Sequence, residues 1–171
     1  FDTGHQGYTH KLLTGRAALF PSLNTYGGMN RFLTPQESHH DPIEASHAGT
    51  AISIGLGMAI ARKLESNNKY VVAVVGDSAL AEGSSFEALN HAVAENDLNL
   101  VLVINDNGYA ISKGFGGLCN VLNSNDSSAR TYFESFGLDY FGPIDGHNID
   151  EMLIAFKRAK STKKLPIIHL K

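Results

Sequence analysis

Apolar residues fall into blocks of two kinds along this chain. Apolar runs of strand length lie at Tyr70–Val75, Leu98–Ile104 and Leu165–Leu170, with a shorter candidate at Asp139–Phe141. Such runs, bounded by polar turns, predict strands buried on both faces, as in a parallel sheet. Between them lie segments with helical spacing. Ala51–Leu64 is apolar nearly all round, which predicts a helix buried on most sides. Gly55 and Gly57 each weaken that helix by roughly 1 kcal/mol against Ala, so they predict close approach of another backbone. Ser84–Glu95 carries Phe86, Leu89 and Val93 on one side, and Glu87 and His91 lie four apart, within reach of each other. Arg130–Phe136 and Ile149–Ala159 complete the helices, the second with Asn148 as its N-cap. Strands alternating with helices predict an α/β fold: a mainly parallel sheet flanked by helices, in one domain spanning residues 1–171.

The rest reads as connection. Phe1–Arg16 is a loop followed by a short helix. Leu19–Ser38 is loop with short helical turns, packed over Phe20, Leu23, Phe32 and Leu33. Glu65–Lys69 is a polar turn, Ala110–Asn125 a flexible loop rich in Gly, Ser and Asn, and Pro143–His147 a turn. A chain of 171 residues, 43% hydrophobic, can bury a sizeable core. A net charge of −3 and a pI near 6.2 carry no electrostatic footprint of nucleic-acid or membrane-surface binding. No stretch reads as a secretory leader or has membrane-spanning length, so a cytoplasmic protein is the expectation. Cys119 stands alone, which excludes a disulfide framework and a cysteine metal cluster. The start at Phe1 and the stop just after an apolar run suggest part of a longer, multi-domain chain.

Candidate chemistry sits after the first two strands. Val75-Gly76-Asp77-Ser78-Ala79 follows one, and Ile104-Asn105-Asp106-Asn107-Gly108-Tyr109 follows the other. In a βαβ unit both loops lie at the carboxyl ends of parallel strands, where open α/β sheets bind ligands. Asp77 and Asn107, thirty positions apart, can therefore face one point. A carboxylate, an amide oxygen and the Tyr109 carbonyl form an oxygen set suited to Mg²⁺. The N–H groups of Ser78 and Ala79 can donate to phosphate at the start of the following helix. On spacing alone, two plainer readings stay open: Asp77 as a helix cap and Asn-Asp-Asn as a turn. His39-His40-Asp41 has metal-ligating side chains, but adjacent histidines point apart and no further ligand spacing follows; a loop over the entrance is the expectation there. His10 and Lys11 are expected to be structural or peripheral.

Gly-Asp-Ser followed some thirty residues later by Asn-Asp-Asn resembles the thiamine-diphosphate signature of the transketolase superfamily. Asp2-Thr3-Gly4-His5-Gln6-Gly7-Tyr8-Thr9-His10-Lys11, Leu13-Thr14-Gly15-Arg16, Phe86-Glu87-Ala88-Leu89-Asn90-His91-Ala92 and Phe141-Gly142-Pro143-Ile144-Asp145-Gly146-His147 narrow it. They resemble the amino-terminal domain of the 1-deoxy-D-xylulose-5-phosphate synthase family over nearly the whole chain. The resemblance implies thiamine diphosphate and Mg²⁺ as cofactors, with Asp77, Asn107 and Tyr109 on the metal. It places Ser46, His47, Ala48, Ser78, Ala79 and Asn107 around the cofactor, and His5 beside its phosphates and reacting carbon. Imidazole suits that position, since it donates to phosphate and transfers protons near neutrality.

The implied reaction condenses pyruvate with glyceraldehyde 3-phosphate, with loss of CO₂, in a homodimer that serves isoprenoid-precursor, thiamine and pyridoxal biosynthesis. The acid that activates the aminopyrimidine is expected in a second domain, not at Glu87. Asp145-Gly146-His147 is expected to shape a loop beside the diphosphate. The chain departs from the family pattern at Ser46 and Ala48 (usually Gly-His-Ser), at Ser78 (usually Gly-Asp-Gly) and at Tyr109 (usually Met). It also lacks a longer helical insertion after Tyr109. These departures keep two alternatives open: another transketolase-like enzyme with a different donor or acceptor, and a non-catalytic or partner-dependent cofactor-binding subunit.

Overall fold

The computed structural model describes residues 1–44, 46–124 and 127–171. Short helical turns open the chain: a 3₁₀ turn at Gly4–Gly7, helix α1 (Tyr8–Lys11), an irregular stretch at Leu12–Arg16 and a 3₁₀ segment at Ala17–Ser22. Then come α2 (Ala51–Leu64), strand β1 (Val71–Gly76), α3 (Asp77–Leu80), α4 (Gly83–Ala92) and β2 (Leu100–Asn105). The chain continues through α5 (Gly117–Leu122), α6 (Ser128–Ser135), β3 (Asp139–Ile144), α7 (Ile149–Ala159) and β4 (Pro166–Leu170). The four strands form one sheet in the order β1-β2-β4-β3, and every pairing is parallel.

The alternation of side chains along the strands divides the core between the two faces. Leu100, Leu102 and Ile104 point to one face with Ala73, Val75, Tyr140 and Ile167, where they meet α2, α4 and α6 through Ile52, Leu56, Leu89 and Phe133. Val101, Val103 and Ile168 point to the other, covered by Ala155 and Ala159 of α7. Strands covered on both faces need continuous apolar runs, which is why they stand out in the sequence, although the second face is open at β1, where Val72 is 44% exposed.

Strands and long helices fall within one to three residues of their expected ends. Asn148 caps α7, its side-chain oxygen accepting the Glu151 N–H at 3.2 Å. Three expectations change. The stretch expected to be loop at Ala110–Asn125 contains α5, anchored by the buried Leu122; Asn125 lies outside the described residues. Glu87 is exposed, and His91 faces Glu95 at 3.6 Å instead, one turn further on. In α2 the two glycines part company. A Cβ on Gly55 would stand 3.0 Å from the Ala73 Cβ, so this is where the helix closes on β1, whereas Gly57 faces open space. The helix also leaves Ser53, Gly57, Ala61 and Leu64 exposed, so its burial is one-sided.

Candidate functional site

The register of the sheet sets the site. Gly76 pairs with Asn105 as the last residues of neighbouring parallel strands, so the next residue of each, Asp77 and Asp106, emerges at the same level. Both are buried, at 8% and 5% exposure, and they stand side by side at adjacent strand ends. Burial raises the Asp77 carboxyl above its ordinary value, and the neighbouring Asp106 adds to the rise; N–H donation from Ser78 opposes it. Two buried carboxyls this close favour a shared proton or a cation.

The loop beyond β2 is built from two successive Asx turns. Asp106 Oδ1 accepts the Gly108 N–H at 2.9 Å and Asn107 Oδ1 accepts the Tyr109 N–H at 2.9 Å. Asn107 and Tyr109 are exposed, so the Asn107 amide oxygen retains a second lone pair for a ligand. On the β1 side, Asp77 and Ser78 open the four-residue α3, and Ala79 follows within it, half-buried. The backbone at Ser78 is helical, so replacing the usual glycine there introduces no positive φ.

Two further segments are fastened to the same end of the sheet. His5 lies exposed in the Gly4–Gly7 turn. Its neighbour Gln6 reaches over Gly76 and accepts the Asn105 Nδ2–H at 2.6 Å through Oε1, tying the turn to both strand ends. Asp2, 2% exposed, donates its N–H to the Val74 carbonyl at 2.7 Å, while its carboxylate accepts from the Gly49 and Ala51 N–H groups at 3.1 and 3.3 Å. Asp2 thereby holds the 46–50 loop and the start of α2 against β1. In that loop Ser46 and His47 are exposed and Ala48 is half-buried; the His47 Nδ1–H points back to the Ala48 carbonyl at 2.6 Å. Asp145 also shapes its turn, its Oδ1 accepting the His147 N–H at 2.9 Å beyond β3.

Sequence reasoning passed over Asp2, Gln6 and Asp106. Gln6 and Asp106 lie inside words already singled out, next to the residues chosen, and only strand register reveals what they touch. The His39 and His40 rings lie together, tilted by 38° with centroids 4.0 Å apart, rather than pointing apart, and leave Asp41 to a different use. Asp41 accepts from Arg16 at 2.6 and 2.9 Å and sits 2.9 Å from His10 Nε2. Lys11 is fully buried against Glu37 and the Asn30 carbonyl. These groups pin the Thr34–Asp41 loop to α1.

Among the described residues no group of three His, Cys, Asp or Glu side chains converges to hold a metal. A soft or borderline metal lacks its ligands here. A hard cation held by one carboxylate, one amide, a carbonyl and phosphate oxygens matches the donors at this end of the sheet.

A family model described as 1-deoxy-D-xylulose-5-phosphate synthase matches residues 1–131 and 124–171. Relatives bearing that name include those of Acidobacterium capsulatum, 38% identical over 207 residues, and Myxococcus xanthus, 41% identical over 169 residues. Each match takes in 99% of this chain and 33% or 28% of the relative, so the chain spans about a third of their length or less. Among solved structures, a transketolase from Campylobacter jejuni superposes with a TM-score of 0.63 at 26% identity, over 75% of this chain and 20% of that one. The family-model match and the sequence identity along 99% of its length place this chain in the 1-deoxy-D-xylulose-5-phosphate synthase family.

Proposed function

We propose that this chain forms the diphosphate-and-metal half of a thiamine-diphosphate site in an enzyme that condenses pyruvate with glyceraldehyde 3-phosphate, releasing CO₂ and forming 1-deoxy-D-xylulose 5-phosphate. The observation that carries this reading is the pairing of Gly76 with Asn105, which sets the Asp77 and Asn107 loops side by side at the carboxyl end of the sheet. Family membership supplies the chemistry. When bound, thiamine diphosphate supplies a carbon nucleophile and an electron sink for decarboxylation.

The chain's own residues do the holding. Asp77 and Asn107 ligate Mg²⁺ by side chain and Tyr109 by its carbonyl; the backbone ligand is indifferent to the change from Met to Tyr. Ser78 and Ala79 present N–H groups to the diphosphate, and Ser46, His47 and Ala48 border it from the loop before α2. His5, exposed on its turn, holds or moves a proton near the reacting carbon. The remainder of the proposal is a homodimer in the cytoplasm, since a cofactor bound on one side by this domain needs a second surface to enclose it. Among the described residues, no helix is long and apolar enough to cross a membrane.

The test is calorimetric titration of thiamine diphosphate into the protein with and without Mg²⁺. The expected outcome is Mg²⁺-dependent binding that disappears in Asp77→Ala. Unchanged affinity in that variant would overturn the site. Release of CO₂ from pyruvate only when glyceraldehyde 3-phosphate is added checks the reaction, and a screen of other donors separates it from transketolase chemistry.

A further inference from the structure

Asp106 is absent from the oxygen set assigned to the metal, yet it is the buried centre of the loop that carries Asn107 and Tyr109. Its backbone N–H donates to the Leu170 carbonyl at 2.9 Å, extending the pairing of β2 with β4. Its Oδ1 holds the Gly108 N–H, and its Oδ2 accepts from His169 Nε2 at 2.8 Å. His169, on β4, has no exposed surface. Its Nδ1 accepts the Tyr140 hydroxyl at 2.7 Å, which agrees with the tautomer that places the imidazole proton on Nε2. Tyr140, on β3, is stacked on Phe133 with ring centroids 5.6 Å apart, and the Arg130 guanidinium lies 5.4 Å from its ring centre. Space for this line is reserved at Gly142, where a Cβ would come within 2.7 Å of the His169 Cβ and 3.2 Å of the Tyr140 hydroxyl. Lys171 Nζ, 3.9 Å from Asp106 Oδ2, and the Asp77 carboxyl are the other ionisable groups facing Asp106.

We propose that Asp106, His169 and Tyr140 are positioning residues for the cofactor's metal: a buried line of hydrogen bonds across β2, β4 and β3 that fixes the loop carrying Asn107 and Tyr109 beside Asp77. The inference rests on the reading of the site given above. The line explains why three polar side chains occupy a region where apolar ones would pack as well. A fully satisfied buried network specifies one geometry, while a partly satisfied one is costly. Of the loop's two Asx carboxamide or carboxylate anchors, only Asp106 is buried and tied to a second strand; Asn107 is left exposed. Groups that orient metal ligands from behind typically change metal affinity by about 10–100-fold when removed.

The test measures the Mg²⁺ concentration that half-saturates thiamine diphosphate binding in the unaltered protein and in Asp106→Asn, Tyr140→Phe, their double variant and Asp77→Ala. Asp106→Asn should raise that concentration by about 10–100-fold. Tyr140→Phe keeps the stacked ring and should shift it less, in the same direction. In the double variant the two factors should not multiply, because both act through His169. Unchanged Mg²⁺ dependence in both single variants, even with lowered thermal midpoints, would show a merely structural network and overturn the proposal. Factors that multiply in the double variant would also overturn it. Should Asp106→Asn fail to fold, Tyr140→Phe decides alone. If Asp77→Ala abolishes binding while the others bind normally, the proposal fails and the site reading stands; if the unaltered protein binds nothing, both fail.

Discussion

Asp41 shows how little a residue's type says before its partners are known. In the sequence it stands behind two histidines like a third metal ligand; in the structure it is 1% exposed and held by Arg16, His10 and the Thr34 N–H. Burial by itself would raise its carboxyl, but the hydrogen bonds from Arg16, His10 and Thr34 outweigh that and hold it below the ordinary 3.8. A carboxyl harder to protonate when folded stabilises the fold fully above pH 3.8 and loses that contribution as pH falls from there through its lower folded value. Asp41→Asn should therefore cost about 3 kcal/mol, the lower end for breaking a buried pair, because Glu37 still faces Arg16 at 3.2 Å. Urea midpoints should show a constant gap between variant and parent from pH 7 to about pH 4, narrowing below it. A gap that stays constant well below about pH 4 would refute the role of the Asp41 carboxylate.

At the scale of elements, α2 and α7 make opposite tests of one idea, that local sequence acts through what it meets. Gly55→Ala drives a methyl against the Ala73 Cβ of β1 and should destabilise by about 1–3 kcal/mol, as overpacking does. Gly57→Ala, with open space around it, should stabilise by about 0.5–1 kcal/mol through helix propensity. Denaturant midpoints moving in the same direction for both would refute the one-sided packing of α2. In α7 the cap is local and was readable from the sequence: Asn148→Ala should lose about 1 kcal/mol, seen as a lower urea midpoint with an unchanged slope.

At the scale of the molecule, β4 lies between β2 and β3 and is covered on both sides. Ile167 and Ile168 are each fully buried, one under the α2–α4–α6 layer and one under α7. Ile167→Ala and Ile168→Ala should each cost about 2–5 kcal/mol. A sheet with one open face would show that loss at only one of the two positions, so a near-neutral Ile168→Ala, measured by chemical denaturation, would contradict the second layer. The same topology places Asp77, Ser78, Ala79, Asn107 and Tyr109 at one end of the sheet, since neighbouring parallel strands release their loops there.

The sequence alone determined the fold class, the four strands and the loops that carry Asp77 and Asn107, because apolar runs, caps and family words are encoded in consecutive residues. It misread the stretch after Tyr109, where α5 is held by the burial of Leu122 rather than by its own Gly- and Asn-rich composition. Tertiary structure decided which neighbour of each motif residue matters. Asp106, Gln6 and Asp2 acquire roles only when strand register and an amino-terminal turn bring together groups up to about a hundred positions apart, as Gln6 meets Asn105. Tyr140 and His169 likewise look like ordinary strand residues until pairing of β3 with β4 and of β4 with β2 lines them up on Asp106. Local pattern records what a residue's own segment must do. Contacts between distant segments are set by packing, which no single stretch of the chain contains.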